Sequence, residues 1–240
     1  MNNDMKLYYD YTISPLGQLY YQTVWHQLSN IKHKKILDFG SGFAFNSNFL
    51  AKDNEVIALE RDAEMIEIAK NNGYCQIHGD LTALKDMEDE TFDIIICHLV
   101  FEFADNAQEI LCQLIRVLKK DGFISIVRHN RNGRIIQSIV QDYDLNEADK
   151  LLKGEYSYSS AFGDIKYYDN QDIINWSKNQ LYIQTIYGVR ALASLHPPEI
   201  QAKENWIQDM LKLELELLKN QDFIKIAYFN HLILTKYSKA

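Results

Sequence analysis

The stretch Asp38-Phe39-Gly40-Ser41-Gly42-Phe43-Ala44 decides the fold, because it joins a short apolar strand to a helix through two closely spaced glycines. Residues 34–39 predict a buried strand, and the residues after the stretch predict a helix. Gly40 and Gly42 allow a tight turn and let the backbone approach a ligand without interference from a Cβ atom. The pattern predicts a ligand-binding turn at the end of a strand, with a plain tight turn as the alternative.

Strands and helices alternate from this turn outward. The sequence predicts further strands at 55–59, 76–78, 92–97 and 123–127, with amphipathic helices around Met65 and from 110 to 118. This alternation is typical of a parallel sheet covered by helices on both faces, with ligands bound beyond the carboxyl ends of the strands. A Tyr-rich segment, a strand at 181–189, a Leu-rich helix at about 199–219 and a last strand at 223–236 follow.

We interpret the chain as a single domain, 1–240. Its predicted parts are an N-terminal helical segment (1–33), a cofactor-binding core (34–128), an inserted cap (142–180) and C-terminal strands with a helix (181–240). The sequence has neither an internal repeat nor a linker rich in Gly, Ser or Pro.

Composition and charge restrict the class of protein. The 240 residues are 47% apolar and 24% charged, which is typical of a globular chain with a sizeable core. A net charge of −8 gives the whole chain no nucleic-acid footprint, although a local basic patch is compatible with it. Three widely spaced cysteines and the lack of a signal peptide indicate a cytoplasmic protein without a disulfide framework or a metal site. The longest nearly apolar run, 94–103, is too short to span a membrane.

Two acidic residues follow the next two predicted strands. Glu60 stands 22 positions after Asp38, where a carboxylate can accept hydrogen bonds from both ribose hydroxyls of a nucleotide-like cofactor. Asp80 follows the third strand, where it can accept from an adenine amino group. Each acid alone could instead cap a helix.

The core from about 34 to 127 resembles the class I S-adenosylmethionine-dependent methyltransferases. It has their D-x-G-x-G-x-G spacing, with Ala44 at the last glycine, whereas Phe45 stands where a nicotinamide-binding G-x-G-x-x-G loop has its third glycine. The resemblance implies an α/β, Rossmann-like fold with a seven-stranded, mostly parallel sheet and a C-terminal antiparallel β-hairpin strand, 223–236 beside 181–189. It also implies S-adenosylmethionine as cofactor, bound at Asp38, Gly40, Ser41, Gly42, Glu60, Arg61, Asp80, Leu81 and His98.

More narrowly, the chain is similar to the bacterial methyltransferases that esterify the carboxylate of 5-carboxymethoxyuridine at the tRNA wobble position. The matching residues are Gly17-Gln18-Leu19, Trp25, the stretch 98–103, Asn130, Gly133, Gly188-Val189-Arg190 and Leu213-Glu214. The arginine that this family has after Gly-Gln-Leu is Tyr20 here. The similarity implies tRNA as the methyl acceptor.

Three residues are candidates for work on the substrate. Arg190 follows a predicted strand and could hold a carboxylate or phosphate in a bidentate manner, with an ordinary surface arginine as the alternative. His98 follows the fourth strand and is the second catalytic candidate, as base or donor, with a half-buried hydrogen-bonded histidine as the alternative. Asn130 is expected to bind substrate.

Two segments could contact RNA. The basic stretch 128–134 could meet phosphates or form a solvated loop. Four tyrosines could stack on an unstacked base or pack a lid against the core: Tyr156, Tyr158, Tyr167 and Tyr168.

The leading interpretation is a methyltransferase that uses in-line displacement to methylate an oxygen or nitrogen nucleophile, with a modified wobble uridine carboxylate in tRNA as the leading acceptor. Three alternatives stay open: methylation of a small molecule, which suits the charge of −8, a non-catalytic regulatory subunit that binds S-adenosylmethionine, and an NAD-dependent oxidoreductase. We expect no membrane contact and either a monomer or a homodimer.

Overall fold

A computed structural model describes residues 2–237, so residue 1 and residues 238–240, the ends of the predicted 1–240 domain, lie outside it. The strands are β1 (Lys35–Phe39), β2 (Glu55–Glu60), β3 (Cys75–His78), β4 (Phe92–His98), β5 (Leu118–His129), β6 (Ser157–Ser159), β7 (Gly163–Ile165), β8 (Leu181–Val189) and β9 (Phe229–Lys236). The α-helices are α1 (Asn3–Ile13), α2 (Pro15–Leu28), α3 (Phe45–Leu50), α4 (Ala63–Ile68), α5 (Leu81–Lys85), α6 (Ala107–Val117), α7 (Arg131–Val140), α8 (Leu145–Leu152), α9 (Asn170–Trp176), α10 (Pro198–Gln201), α11 (Trp206–Leu217) and α12 (Gln221–Ile226).

The main sheet has the strand order β3-β2-β1-β4-β5-β9-β8, and β6 and β7 pair separately as an antiparallel hairpin. The pairs β2–β3, β1–β2, β1–β4 and β4–β5 are all parallel. The central strands β1 and β4 are buried over most of their length and mostly apolar, as expected of strands covered on both faces.

The last strand, β9, runs antiparallel to β8. At its start the N–H of Tyr228 donates to the carbonyl oxygen of Arg190, which follows β8, at 3.2 Å. At its end the N–H of Tyr237 donates to the carbonyl oxygen of Gln180, which precedes β8, at 3.1 Å. The predicted Rossmann-like α/β fold with a C-terminal antiparallel strand is confirmed.

Backbone contacts divide the chain into two compact units. The first unit comprises the chain up to Gln27 together with Arg128–Tyr167 and Ile186–His231, and the second comprises Leu28–Val127, Tyr168–Thr185 and the chain from Leu232. The second unit holds β1 to β4 and nearly all of the predicted core. The first has its own hydrophobic cluster, which consists of Leu16, Leu19, Ala193, Trp206 and Met210. The single domain stays a prediction.

Two predicted C-terminal elements have the wrong bounds. The Leu-rich helix expected at about 199–219 is interrupted between α10 and α11, because Asn205 adopts a left-handed φ of 63° through which a right-handed helix cannot continue. The strand expected from 223 begins at Phe229, because Asn220 starts the short helix α12 by accepting the N–H of Asp222 at 3.0 Å.

The Tyr-rich segment contains ordered structure that the sequence analysis did not predict. Asp144 caps α8 by accepting the N–H of Glu147 at 2.9 Å, and the hairpin of β6 and β7 follows. These elements are short and their apolar residues show no clear period, so local hydrogen bonds define them more than the pattern of hydrophobicity does.

Helix α7 packs closely on the chain that leads into β9 within the first unit. A Cβ atom on Gly133 would lie 2.2 Å from the carbonyl oxygen of Ala227 and 2.7 Å from the Cα of Tyr228. Asn130, which caps α7, donates from its side-chain amide to the same carbonyl of Ala227 at 2.7 Å. The approach of helix and chain therefore requires glycine at position 133.

We expect Gly133→Ala to lower the free energy of unfolding by about 1–3 kcal/mol, because the added methyl group overlaps backbone atoms. This loss has to exceed a gain of about 1 kcal/mol from the higher helix propensity of alanine. Urea denaturation measures the difference. Asn132→Ala, an exposed change on the same helix, is the matched control and should stay within about 0.5 kcal/mol of the unchanged protein. Unchanged stability of Gly133→Ala would show that the helix moves away at no cost.

Candidate functional site

The glycine loop between β1 and α3 lies in the second unit and has a backbone that few side chains tolerate. The φ angle is 71° at Gly40 and 55° at Gly42, both in the left-handed region. A Cβ atom on Gly40 would lie 2.5 Å from Cγ2 of Val100. The N–H groups of Gly40 and Ser41 donate to the carbonyl oxygen of Leu59 at 2.8 and 3.2 Å, which ties the loop to β2.

The Glu60 carboxylate at the end of β2 holds the loop from the other side. Its Oε2 accepts the N–H of Gly42 at 2.7 Å, and its Oε1 accepts the N–H groups of Arg61 and Asp62 at 2.8 and 2.9 Å. The residue is 6% exposed. Because a carboxylate has about four acceptor positions, about one remains for a ribose hydroxyl.

Asp38, at the start of the loop, faces the interior of the second unit. Its Oδ2 accepts the hydroxyl of Ser47 on α3 at 2.5 Å, and the side chain is buried. Burial raises the pKa of Asp38 to about 7, with the Glu60 charge adding to the effect and the Ser47 hydrogen bond opposing it. Asp38 therefore joins β1 to α3, and its contact with a cofactor stays a prediction.

Asp80 is the exposed cap residue of α5. Its carboxylate accepts the N–H of Thr82 at 2.8 Å, and this hydrogen bond lowers the pKa of Asp80. Asp80 follows β3, which pairs in parallel with β2, so Asp80 and Leu81 lie at the same sheet edge as Glu60 and Arg61. The structure thus brings these four predicted cofactor residues together.

His98, the last residue of β4, has hydrogen-bond partners at both ring nitrogens. Nδ1 lies 3.2 Å from Nδ2 of Asn46, and Nε2 lies 2.8 Å from Oγ of Ser125. With the Asn46 amide as donor, Nδ1 is the acceptor and the network assigns the ring proton to Nε2. His98 is therefore held between α3 and β5, which agrees with the alternative of a hydrogen-bonded histidine. Its catalytic and cofactor-binding roles stay predictions.

The loop fits an adenosyl cofactor that carries an amino acid group with its amino and carboxylate ends. Oγ of Ser41, between the two glycines, is buried and has no hydrogen-bond partner in residues 2–237. An orphaned buried hydroxyl costs about 1–3 kcal/mol, so a ligand group or a water is expected to complete it. Together with the carboxylates of Glu60 and Asp80, this donor and acceptor set suits S-adenosylmethionine.

Asn130 lies in the first unit, where its side chain serves the backbone. Its Oδ1 accepts the N–H of Asn132 at 3.3 Å, and its Nδ2 donates to the carbonyl oxygens of Lys225 and Ala227 at 3.0 and 2.7 Å. These bonds hold the beginning of α7 against the end of α12. Substrate binding by Asn130 stays a prediction.

Arg190 also lies in the first unit and is 1% exposed, which excludes the alternative of an ordinary surface arginine. Its Nε donates to Oγ of Ser194 at 3.0 Å, and its Nη1 donates to Oη of Tyr11 at 2.5 Å. Its φ of 59° is strained, and the turn that follows is held by the buried Glu214. The Glu214 carboxylate accepts the N–H groups of residues 191–193 at 2.7, 2.8 and 2.9 Å.

The position where the related family has arginine, Tyr20, is part of the packing of the first unit. Its side chain is buried, and its ring contacts the ring of Phe229 edge to face at 5.1 Å between centroids. At this position, aromatic packing therefore takes the place of the charged side chain that the related family has.

The basic stretch 128–134 is engaged within the first unit. Arg131 donates to the carbonyl oxygens of Leu151, in α8, and Glu155, after it, both at 3.0 Å. Arg134 pairs with Asp142 at 3.1 Å. Among the four cap tyrosines, Tyr156 and Tyr158 are exposed and the other two are not. The arginines therefore have structural partners, and the exposed tyrosines keep the stacking alternative open.

All helices within residues 2–237 are too short or too polar to cross a membrane. In the same part of the chain, no group of three or more His, Cys, Asp or Glu side chains is placed to hold a metal ion. Its three cysteines, Cys75, Cys97 and Cys112, are free thiols.

Several polar residues at the site were not predicted. Ser125 is a polar residue within the apolar strand 123–127, and that interruption was the available signal for the partner of His98. Asn46 and Ser47 carry no such signal, because they are ordinary residues for the first turn of a helix. Only the packing of α3 against β1 and β4 gives them buried partners.

We expect the raised pKa of Asp38 to make stability fall with rising pH. The folded state keeps a proton that the unfolded state, with an ordinary pKa near 4, releases, so this contribution is lost progressively from about pH 4 to about pH 7. Asp38→Asn cannot titrate and should therefore gain stability relative to the unchanged protein by about 1 kcal/mol per pH unit between about pH 5 and 6.5. Urea denaturation of the ligand-free proteins at several pH values measures this gain.

Asp86→Asn, a change at an exposed aspartate, is the control and should differ from the unchanged protein by the same amount at every pH. A constant difference for Asp38→Asn would mean that Asp38 is ionised in the folded protein throughout this range.

Sequence comparisons agree with this geometry. Residues 37–126 match the family model of the methyltransferase domain. A ubiquinone biosynthesis O-methyltransferase of Rickettsia conorii is 27% identical over 154 residues, which are 60% of this chain and 52% of the relative, so the chain spans about half the length of that protein. A tRNA 5-carboxymethoxyuridine methyltransferase of Escherichia coli K12 is 21% identical over 237 residues, which are 92% of this chain and 89% of the relative.

A solved structure shows the same fold. The methyltransferase of Haloferax volcanii in complex with the Trm112 methyltransferase activator superposes with a TM-score of 0.61 at 12% identity, and 99% of each chain is covered. The segment matched by the family model contains the glycine loop, Glu60, Asp80 and His98. Residues 37–126 therefore match the methyltransferase domain in sequence, the chain shares the fold of a solved methyltransferase, and the cofactor that these matches imply is S-adenosylmethionine.

Proposed function

We propose that the protein transfers the methyl group of S-adenosylmethionine to an oxygen or nitrogen nucleophile, and that the carboxylate of a modified wobble uridine in tRNA is the leading acceptor. The similarity to the E. coli tRNA methyltransferase supports this acceptor, because it extends over 92% of the chain rather than over the cofactor-binding core alone. The free cysteines suit a proposed site of action in the cytoplasm.

The cofactor would be held by residues of the second unit. When bound, it supplies an electrophilic methyl group on a positively charged sulfur. Glu60 would accept from a ribose hydroxyl and Asp80 from the adenine amino group, while Ser41 would donate its unpartnered hydroxyl to a polar group of the cofactor. Other residues proposed to surround it are Asp38, Gly40, Gly42, Arg61, Leu81 and His98.

The hydrogen bonding of His98 is the observation that favours a carboxylate as acceptor. Both ring nitrogens already have partners, Asn46 and Ser125, so removal of a substrate proton by His98 would break one of these bonds. A carboxylate is ionised at neutral pH and needs no general base. The protein then has only to align the nucleophile with the methyl group and exclude water. We propose His98 as a positioning residue in this step.

Methylation of a small molecule is the second candidate. It is supported by the net charge of −8, which disfavours long-range attraction of tRNA, and by the similarity to the Rickettsia O-methyltransferase. The partnered arginines of the basic stretch 128–134 support it as well. A hydroxyl acceptor would often need a general base, which is the feature that separates the two candidates.

We expect Glu60→Gln to weaken S-adenosylmethionine binding by about 1–3 kcal/mol, roughly 5- to 150-fold, because a charged acceptor of a ribose hydroxyl is lost. Isothermal titration calorimetry measures the affinity. Glu67→Gln, an exposed change on α4, removes the same charge and should leave the affinity unchanged. Equal affinity of both variants would remove Glu60 from the cofactor site.

Transfer of tritiated methyl from S-adenosylmethionine to separate fractions of one lysate tests the acceptor. We expect label in total tRNA that is lost on mild alkaline hydrolysis, because a methyl ester hydrolyses there whereas methyl ethers and N-methyl groups do not. Label confined to the small-molecule fraction would establish the second candidate. Cofactor binding without transfer to any fraction would indicate a regulatory subunit and contradict the proposed function.

A further inference from the structure

Arg190 carries a positive charge inside the first unit without a matching negative charge. The side chain is 1% exposed, and no ion pair formed within residues 2–237 includes it. Glu214, the buried acid of the same turn, has both carboxylate oxygens on backbone N–H groups. A buried cation without a counter-charge is unfavourable, so a chain that keeps one at this place points to an anion supplied from outside.

The guanidinium also has hydrogen-bond donors left over. Of its five N–H groups, one on Nε donates to Ser194 and one on Nη1 donates to Tyr11. Nη2 is buried and has no partner in the part of the chain that the structure describes. Three N–H groups therefore remain, one on Nη1 and two on Nη2. One N–H group from each of these nitrogens forms the edge that binds planar oxyanions in a bidentate manner.

The surroundings hold the guanidinium but do not neutralise it. The rings of Tyr228, Phe229 and Tyr11 lie 4.8, 5.3 and 5.8 Å from its central carbon. Ring faces attract a cation, yet they accept none of the edge N–H groups in its plane. Burial, and then the charges of Arg134 and Arg190, lowers the pKa of the neighbouring His129 to about 3, so this histidine is neutral and adds no second positive charge that would bind an anion.

We propose that the Nη1–Nη2 edge of Arg190 binds a carboxylate group of the methyl acceptor. This inference rests on the proposed function and specifies its acceptor as an anion. A flat carboxylate matches two parallel N–H groups on one edge of the guanidinium. Arg190 contacts the substrate in this proposal, and Glu214 and Ser194 are positioning residues that fix its turn and its side chain.

Helix α1 covers the Nη1 side of the Arg190 guanidinium. Tyr11, which covers Nη1, is on α1 and is 42% exposed, and of the eleven residues of this helix only Met5 and Thr12 are buried. The helix ends at Ser14, whose extended backbone precedes Pro15 at the start of α2. In the proposal the anion takes the place of the Tyr11 hydroxyl at Nη1, on the side of Arg190 that this helix covers.

Calorimetric titration with a matched pair of nucleosides tests the proposal. The probes are 5-carboxymethoxyuridine, which carries the carboxylate, and its methyl ester, which has one added methyl group and no charge. We expect the unchanged protein, with and without S-adenosylhomocysteine, to bind the acid at least 10-fold more tightly than the ester. Arg190→Gln should bind both probes equally, and Arg190→Lys should keep part of the preference because it keeps the charge without the planar edge.

Arg116→Gln is the matched control, because Arg116 is an arginine whose guanidinium is fully engaged by carbonyl oxygens and Asp89 in the second unit. It should keep the full preference for the acid. Tyr11→Phe provides a test that does not depend on whether Arg190→Gln folds. It removes the hydroxyl that competes for Nη1 and should tighten binding of the acid several-fold while leaving the ester unchanged.

Three results would overturn the proposal: equal binding of acid and ester by the unchanged protein, an acid preference that survives Arg190→Gln, and tighter binding of uridine 5′-monophosphate than of the acid. The tritium assay on the same samples separates failure of the anion site from failure of the proposed function. Transfer to an uncharged acceptor with no acid preference refutes the anion site alone. An Arg190-dependent acid preference without transfer to any acceptor refutes the methyltransferase activity alone.

Discussion

The site in the second unit depends on one constraint, the hydrogen bond between the Gly42 N–H and the Glu60 carboxylate at 2.7 Å. This bond joins the loop after β1 to the end of β2, and the N–H groups of Gly40 and Ser41 on the Leu59 carbonyl add to the link. The left-handed angles of both glycines are compatible with it, whereas a side chain at Gly40 would meet Val100. A carboxylate therefore shapes the loop at the sheet edge where Asp80 also lies. The same group is the one proposed to bind ribose, so a substitution at Glu60 also changes what holds the loop.

Buried polar groups of the two units fall into two classes. Asp38, His98 and Glu214 have partners that complete their hydrogen bonding, and each joins elements that are distant in the sequence. Arg190 and the Ser41 hydroxyl keep donors without partners in residues 2–237. Since unsatisfied buried donors are costly, groups of the second class are the ones expected to meet ligands.

The parallel core was predictable because its signals are local. Apolar runs at 34–39, 55–59 and 92–97 end in a glycine or an acidic residue or lead into a turn, and the strands occur there within one or two residues. The helix predicted at about 199–219 is interrupted at Asn205, where the left-handed backbone angle outweighs the apolar pattern. The strand predicted from 223 starts later, because Asn220 caps a short helix there. Glu60, Asp80 and the glycines could be named from their spacing, whereas Asn46 and Ser47 could not.

The sequence by itself determined the class of fold and the residues that line the sheet edge, because strand length, helix period and the position of glycines are properties of neighbouring residues. The sequence also made Arg190 a candidate for holding a carboxylate or phosphate, with an ordinary surface arginine as the alternative. Only the tertiary structure decided that Arg190 is buried, that Tyr11 from the N-terminal helix covers it and that no acid pairs with it in the described chain. The hydrogen bond between Arg190 and Tyr11 joins segments 179 positions apart in the sequence, and no local pattern encodes that contact.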